Sequence, residues 1–268
     1  MQILTVEETQ VVLKDTGLDQ VKGTGLVRRE SRDALFYGWH AHEHHQILFA
    51  KKGTTQVEGA ESRHLLPAGH ALWIPARTHH RTMIRNLDGL SLFLDPEDVA
   101  GDCRSVRAFP VSPMIQEMLF YALRWPKGTC DADPVAKSFF QTLILLLQEA
   151  IQNAGKQEFT LPKAAHPSLQ RAMDAALRDP GRASLAQAMA EAGMSERSFR
   201  RYFDRETGMS WQHWITQARL FHAATLLAQG VSVTHVAAES GYASQSAFTK
   251  AFTRLLGHSP ARFCSQSR

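Results

Sequence analysis

The chain has 268 residues, 44% of them apolar, and a net charge of +4, enough for two domains with a sizeable core. Its longest apolar run, "LILLL" (143–147), is far shorter than the roughly 18 residues of a membrane span, so no membrane partner is expected. Cys103, Cys130 and Cys264 are too few and too scattered for a disulfide framework or a cysteine zinc site.

The start, "MQILTVEETQVVLKD", carries no basic stretch followed by an apolar one, and with the cysteine usage this sets an expectation of a cytoplasmic protein. Residues 20–110 alternate short apolar patches ("QILFA", "HALWIP", "LSLFL") with turn signals ("KKG", "EGAES", "LPAGH", "NLDG"), the spacing of an all-β sandwich or barrel. Within this region "HAHEHHQ" (40–46) crowds four histidines into seven positions, and eight of the chain's thirteen histidines lie between His40 and His80. Positions 40, 42 and 46 share parity, so one continuous strand would turn them to one face.

After "FPVSP" the pattern becomes helical, over 112–125 and 133–153. Asp133 is placed to cap the second helix and Pro134 to open it. That helix is apolar on more than one face (Phe139, Phe140, Leu143, Ile144, Leu146, Leu147, Ile151), as in a buried helix or a homodimer seam. Residues 154–165 read as a linker between domains at 1–153 and 166–268. The charge divides there: 18 Lys+Arg against 19 Asp+Glu (−1) before residue 166, and 12 against 7 (+5) from it onward.

The C-terminal segment contains a repeat. Phe199 matches Phe248, Phe203 matches Phe252 and Gly208 matches Gly257, each at an offset of 49. Each copy is a short helix, a glycine turn (Gly193, Gly241) and a second helix, the form of a helix-turn-helix. Ser195 and Ser244 suit N-caps, and each Phe pair sits at i, i+4 facing inward. Arg197, Arg200 and Arg201 in the first copy, and Gln245, Ser246 and Lys250 in the second, are left outward. Such side chains pair with base edges and phosphates of double-stranded DNA.

Residues 166–264 resemble the DNA-binding domain of the AraC/XylS family of bacterial transcription regulators. The specific part is "GYASQSAFTKAFTRLLGHSPARF" (241–263), where Gly241, Tyr242, Ser244, Phe248, Lys250, Phe252, Gly257, Ser259, Pro260 and Phe263 follow the family signature. Thr253 and Cys264 depart from it, each where a basic residue is common. The resemblance implies two helix-turn-helix units joined by a long helix, here 211–229, with recognition helices about 34 Å apart. By position, Arg197 and Arg201 are the expected base readers of the first unit, and Gln245, Ser246 and Lys250 those of the second.

The N-terminal half resembles a cupin, the β-barrel that regulators of this family use as a sensor. "HAHEHHQILFAKKG" follows the first cupin motif with Gln46 in place of Glu, and "GHALWIPARTHH" the second, with Arg77 in place of Gly. The resemblance implies a metal set of His40, His42, Gln46 and His80; His44, which shares the parity of His40 and His42, is a candidate substitute. A His-rich set suits Zn, Ni, Cu or Fe. Gln46 removes the set's one anion, so such a site is expected to recruit an anionic small-molecule effector.

The expected architecture is therefore α+β in two domains: a cupin barrel with a helical dimerisation segment, and an all-α double helix-turn-helix. The expected function is a DNA-binding transcriptional regulator and not an enzyme. The competing readings are a metal-dependent, dioxygenase-like cupin enzyme fused to a DNA-binding domain, and a regulator that senses the metal ion itself.

Overall fold

The computed structural model describes residues 2–15, 25–99, 104–126, 132–154 and 159–267. Cys103, Cys130 and part of the expected linker (155–158) lie outside the described residues. The chain divides into two compact units: one runs to Gly59 and resumes from His64 through the second of the expected helices, and the other takes residues 60–63 and everything from Phe159.

The first unit opens with β1 (Gln2–Ile3) and α1 (Val6–Asp15), followed by β2 (Leu26–His40), β3 (His45–Gly59), β4 (Ser62–Pro67), β5 (His70–Ile74), β6 (His80–Leu94) and β7 (Arg107–Pro110). Strands β1, β2, β6, β3 and β4 lie side by side in that order, and β5 pairs with both β3 and β7. The sequence suggests short strands, but β2, β3 and β6 each run fifteen residues. In β3 and β6 the sequence does not alternate cleanly because, over Ile47–Ala50 and Leu90–Leu94, both faces are covered. On β3, Ile47 and Phe49 face a core shared with α2 (Pro113–Tyr121) and α3 (Pro134–Asn153). Gln46 and Leu48 face a cavity on the other side. On β6, Leu90, Leu92 and Leu94 join that same core, while Ser91 and Phe93 line the cavity.

Helix α3 begins as the sequence indicates. Asp133 accepts from the backbone N–H groups of Val135 and Ala136, and from Trp125 Nε1 at 2.9 Å. Its inner face (Ala136, Phe140, Leu143, Ile144, Leu147, Ile151) is buried. A second stripe is not: Val135 and Leu145 are 66% and 67% exposed, and Phe139 and Leu146 are half-buried.

The second unit contains β8 (Thr160–Pro162) and helices α4 (Pro167–Arg178), α5 (Leu185–Ala192), α6 (Glu196–Thr207), α7 (Trp211–Ala228), α8 (Val233–Glu239), α9 (Gln245–Leu256) and α10 (Pro260–Ser267). It begins earlier than residue 166, because Phe159 and Leu161 are buried and Trp214 Nε1 donates to the Pro162 carbonyl at 3.1 Å. Serines cap five of its helices: Ser184, Ser195, Ser210, Ser232 and Ser244 each accept from a backbone N–H one turn on. Gly193, Gly208 and Gly257 end α5, α6 and α9 in the left-handed region.

Candidate effector cavity and nucleic-acid interface

The histidine cluster does not lie on one strand. His40 ends β2, residues 41–44 form a turn, and Gln46 sits in β3. The turn is fastened by Arg77, whose N–H donates to the His42 carbonyl at 2.8 Å and whose guanidinium pairs with Glu43 at 2.7 Å. Arg77 has φ of 61°, so it keeps the left-handed backbone for which the cupin motif uses Gly.

The turn nevertheless gathers the expected side chains. His40, His42 and His80 are buried, and their ring centroids lie 4.2 Å (40–80), 5.3 Å (42–80) and 6.4 Å (40–42) apart. His79 is exposed, whereas His44 is buried and its carbonyl faces His42 Nδ1 at 2.6 Å. His40 Nδ1 lies 2.8 Å from the Gly38 carbonyl, and His80 Nδ1 lies 2.8 Å from that of Thr78. A carbonyl only accepts, so Nδ1 carries the proton on all three rings and Nε2 is left as an acceptor. Burial lowers the pKa of His40 to about 4 and of His80 to about 3, and lowers that of His42, against the opposing effect of these hydrogen bonds.

Neutral imidazoles with Nδ1 held by carbonyls are the form that ligates metals. The donor chemistry therefore suits an ion. Among the described residues, no three His, Cys, Asp or Glu side chains are placed to hold a metal.

The cavity has a volume of about 50 Å³. Beyond His40, His42 and Gln46, its polar lining is Arg28, Glu30, Tyr37, Thr82 and Ser91, and Val12, Leu13, Leu48, Ile84 and Phe93 supply the apolar part. These groups form a chain. His42 Nε2 lies 3.1 Å from Gln46 Oε1, and Gln46 Nε2 lies 3.0 Å from Ser91 Oγ. Beyond Ser91, Glu30 is approached by Arg28 at 3.6 Å, and Tyr37 lines the same cavity. With His42 Nε2 an acceptor, the Gln46 amide fits the chain when its NH2 group faces His42 and its oxygen takes the Ser91 hydroxyl proton. Burial raises the Glu30 pKa, opposed by Arg28 and Arg32.

Sequence reasoning missed Arg28, Glu30, Tyr37 and Ser91. Arg28 and Glu30 sit in "RRESRD", which reads as a solvated charge run, yet Glu30 is only 8% exposed. It also missed α1, although Thr5 and Glu8 form a capping box there: the Thr5 N–H donates to Glu8 Oε2 at 2.8 Å and the Glu8 N–H to Thr5 Oγ1 at 3.2 Å. Helix α1 brings Val12 and Leu13 to the cavity.

In the second unit, α5–α6 and α8–α9 are the two helix-turn-helix units. Phe199 and Phe203 are buried against Trp211, and Phe248 and Phe252 against Tyr242 and Phe263. The opposite face of α9 is a shallow open groove lined by Gln245, Ser246, Thr249, Lys250, Thr253 and Arg254. On α6, Arg197, Arg200 and Arg201 are exposed but differently placed. Arg200 Nε donates to Glu196 at 2.8 Å, and Arg201 lies over the Tyr202 ring, 4.9 Å from its centroid. Arg197 has no side-chain partner among the described residues.

A sheet-rich unit enclosing a cavity and a helical unit with two helix-turn-helices define a ligand-binding regulator of DNA. Residues 24–165 match the AraC-like ligand binding domain, and residues 188–266 match a helix-turn-helix domain. The chain belongs to the AraC family of DNA-binding transcriptional regulators. It is 27% identical over 238 residues to the transcriptional regulator NimR of Escherichia coli K12, covering 87% of this chain and 84% of that one. Among solved structures, it is similar to the DNA-binding domain of AdpA in complex with a target DNA (32% identity, 37% of this chain and 90% of that one, TM-score 0.35). It is also similar to ToxT from Vibrio cholerae (11% identity, 91% of this chain and 99% of that one, TM-score 0.38). Among the described residues no helix is long and apolar enough to cross a membrane.

Proposed function

We propose that this regulator reads its operator with α6 and α9, acts as a homodimer, and is switched by a small molecule held in the cavity of its first unit. The observation that carries the DNA reading is the outer face of α9, where amide, hydroxyl and cationic groups line one side of a helix whose other side is fixed by Phe248 and Phe252. Gln245, Ser246 and Lys250 are the base readers on α9, and Arg197 and Arg201 those on α6. Arg200, tied to Glu196, is suited to a phosphate. The dimer rests on the exposed stripe of α3, since doubling the reading heads raises affinity for paired sites.

The test is a gel shift on an operator recovered by sequencing bound genomic fragments. Gln245→Ala and Lys250→Ala should each weaken the specific complex, Gln245→Ala by roughly 1–3 kcal/mol with relaxed base preference. Equal losses on specific and random DNA would reduce α9 to a backbone clamp.

A second reading keeps a Zn, Ni, Cu or Fe ion on His40, His42 and His80 with Gln46 nearby, and is favoured by the shared Nδ1-protonated form of the three rings. When bound, such an ion would offer an open coordination position to the effector. Elemental analysis of protein purified without chelator and then supplied with each metal decides it: close to one ion per chain, lost in the double substitution His40→Ala, His42→Ala, supports the ion, and no uptake of any of the four removes it.

A further inference from the structure

We infer that the cavity selects a small, planar ligand that donates N–H groups, an amidine or amino-substituted heterocycle, and that Glu30 is its main contact. The inference rests on the reading that the cavity holds the effector, and it departs from the anion expected from Gln46.

The first observation is the carboxylate itself. The Glu30 side chain is 10% exposed and lines the cavity. A carboxylate offers about four lone-pair sites. The one Ser91 proton goes to Gln46, and Arg28, at 3.6 Å, faces Glu30 from beyond hydrogen-bond length. Acceptor positions therefore remain for a ligand.

The second observation is the polarity of the other walls. The His40 and His42 rings have their Nδ1 protons committed to the Gly38 and His44 carbonyls, so each has only an acceptor left, and that of His42 is met by Gln46. The hydroxyls of Tyr37 and Thr82 can serve in either role. Among the described residues that line the cavity the one cation is Arg28, 3.6 Å from Glu30. An anion entering here would meet the Glu30 charge and compete with it for Arg28. A donor would find the Glu30 oxygens and the His40 Nε2 acceptor, with Leu48, Ile84 and Phe93 for its apolar edge.

The third is size. At roughly 10–15 Å³ per water-sized group, a cavity of about 50 Å³ accepts a compact fragment and not a long chain.

Acetamidinium, acetamide and acetate are planar isosteres that differ in what they donate. Titrated calorimetrically into the full chain, they should rank in that order, with acetamidinium about tenfold tighter than acetate. Glu30→Gln should erase that difference. The ranking is read on wild-type protein and stands whether or not the variant folds. Tighter binding of acetate would overturn the ligand class while leaving the cavity as an effector site. Binding of none of the three at tens of millimolar would overturn the cavity reading with it. Acetamidinium binding unchanged in folded Glu30→Gln would overturn the role of Glu30.

Discussion

Gly241 lies directly against the backbone of Gly181: a Cβ on Gly241 would stand 2.3 Å from the Gly181 carbonyl oxygen. The same segment is held by Arg219, which donates to the carbonyls of Pro180 at 2.9 Å and Ala183 at 3.1 Å. The turn before α9 and the turn before α5 are thus fastened together within the DNA-binding unit. Gly241 also has φ of 72°, so it needs glycine for two reasons. Gly193 has φ of 64° but open space around it. Gly193→Ala should therefore cost about 1–2 kcal/mol, and Gly241→Ala should cost more, roughly 2–4 kcal/mol. Calorimetric unfolding of the full chain checks the difference, and equal costs would contradict the close approach.

The exposed stripe of α3 gives a second expectation. Leu145→Asp places a charge on a face that is two-thirds exposed in the single chain, so the fold should lose less than about 0.5 kcal/mol. If α3 is the dimer seam, the same change should shift the protein from dimer to monomer by sedimentation equilibrium. A wild type that is monomeric at high micromolar concentration would contradict the seam.

Acid should weaken the first unit through His64. The residue is 2% exposed, and burial holds its pKa down to about 4, against about 6.5 unfolded. The unfolded chain takes up the proton first. Stability is therefore complete above pH 6.5 and is lost as pH falls from there to about 4, by up to roughly 3 kcal/mol. His64→Gln should flatten the curve of stability against pH in that window, whatever it costs at neutral pH. Parallel curves for the variant and wild type would contradict this.

The two units differ in how far their sequences disclosed them. The DNA-binding unit is written in local signals: serine caps, left-handed glycines, and Phe pairs one helical turn apart, all of which operate within a few residues. The sheet-rich unit depends on contacts distant in sequence. Gln46 meets Ser91, and Glu30 lines the same cavity from another strand. Parity along "HAHEHHQ" misleads because four residues of that stretch form a turn. The turn and the two strand ends still bring His40, His42 and His80 together, as their spacing suggested. Glu30 was hidden because burial of a charge within a charged run is decided by the curvature of the sheet and leaves no pattern in the run itself.

The most direct test of the central claim, two separate reading helices on one DNA face, is a footprint of the full chain on its own operator. On each half-site the account predicts two protected segments about one helical turn apart on one face. Arg197→Ala should weaken protection and relax base preference in one segment, by roughly 1–3 kcal/mol, and Gln245→Ala with Lys250→Ala should do so in the other. A single protected segment, or loss of both segments together from either set of substitutions, would contradict it.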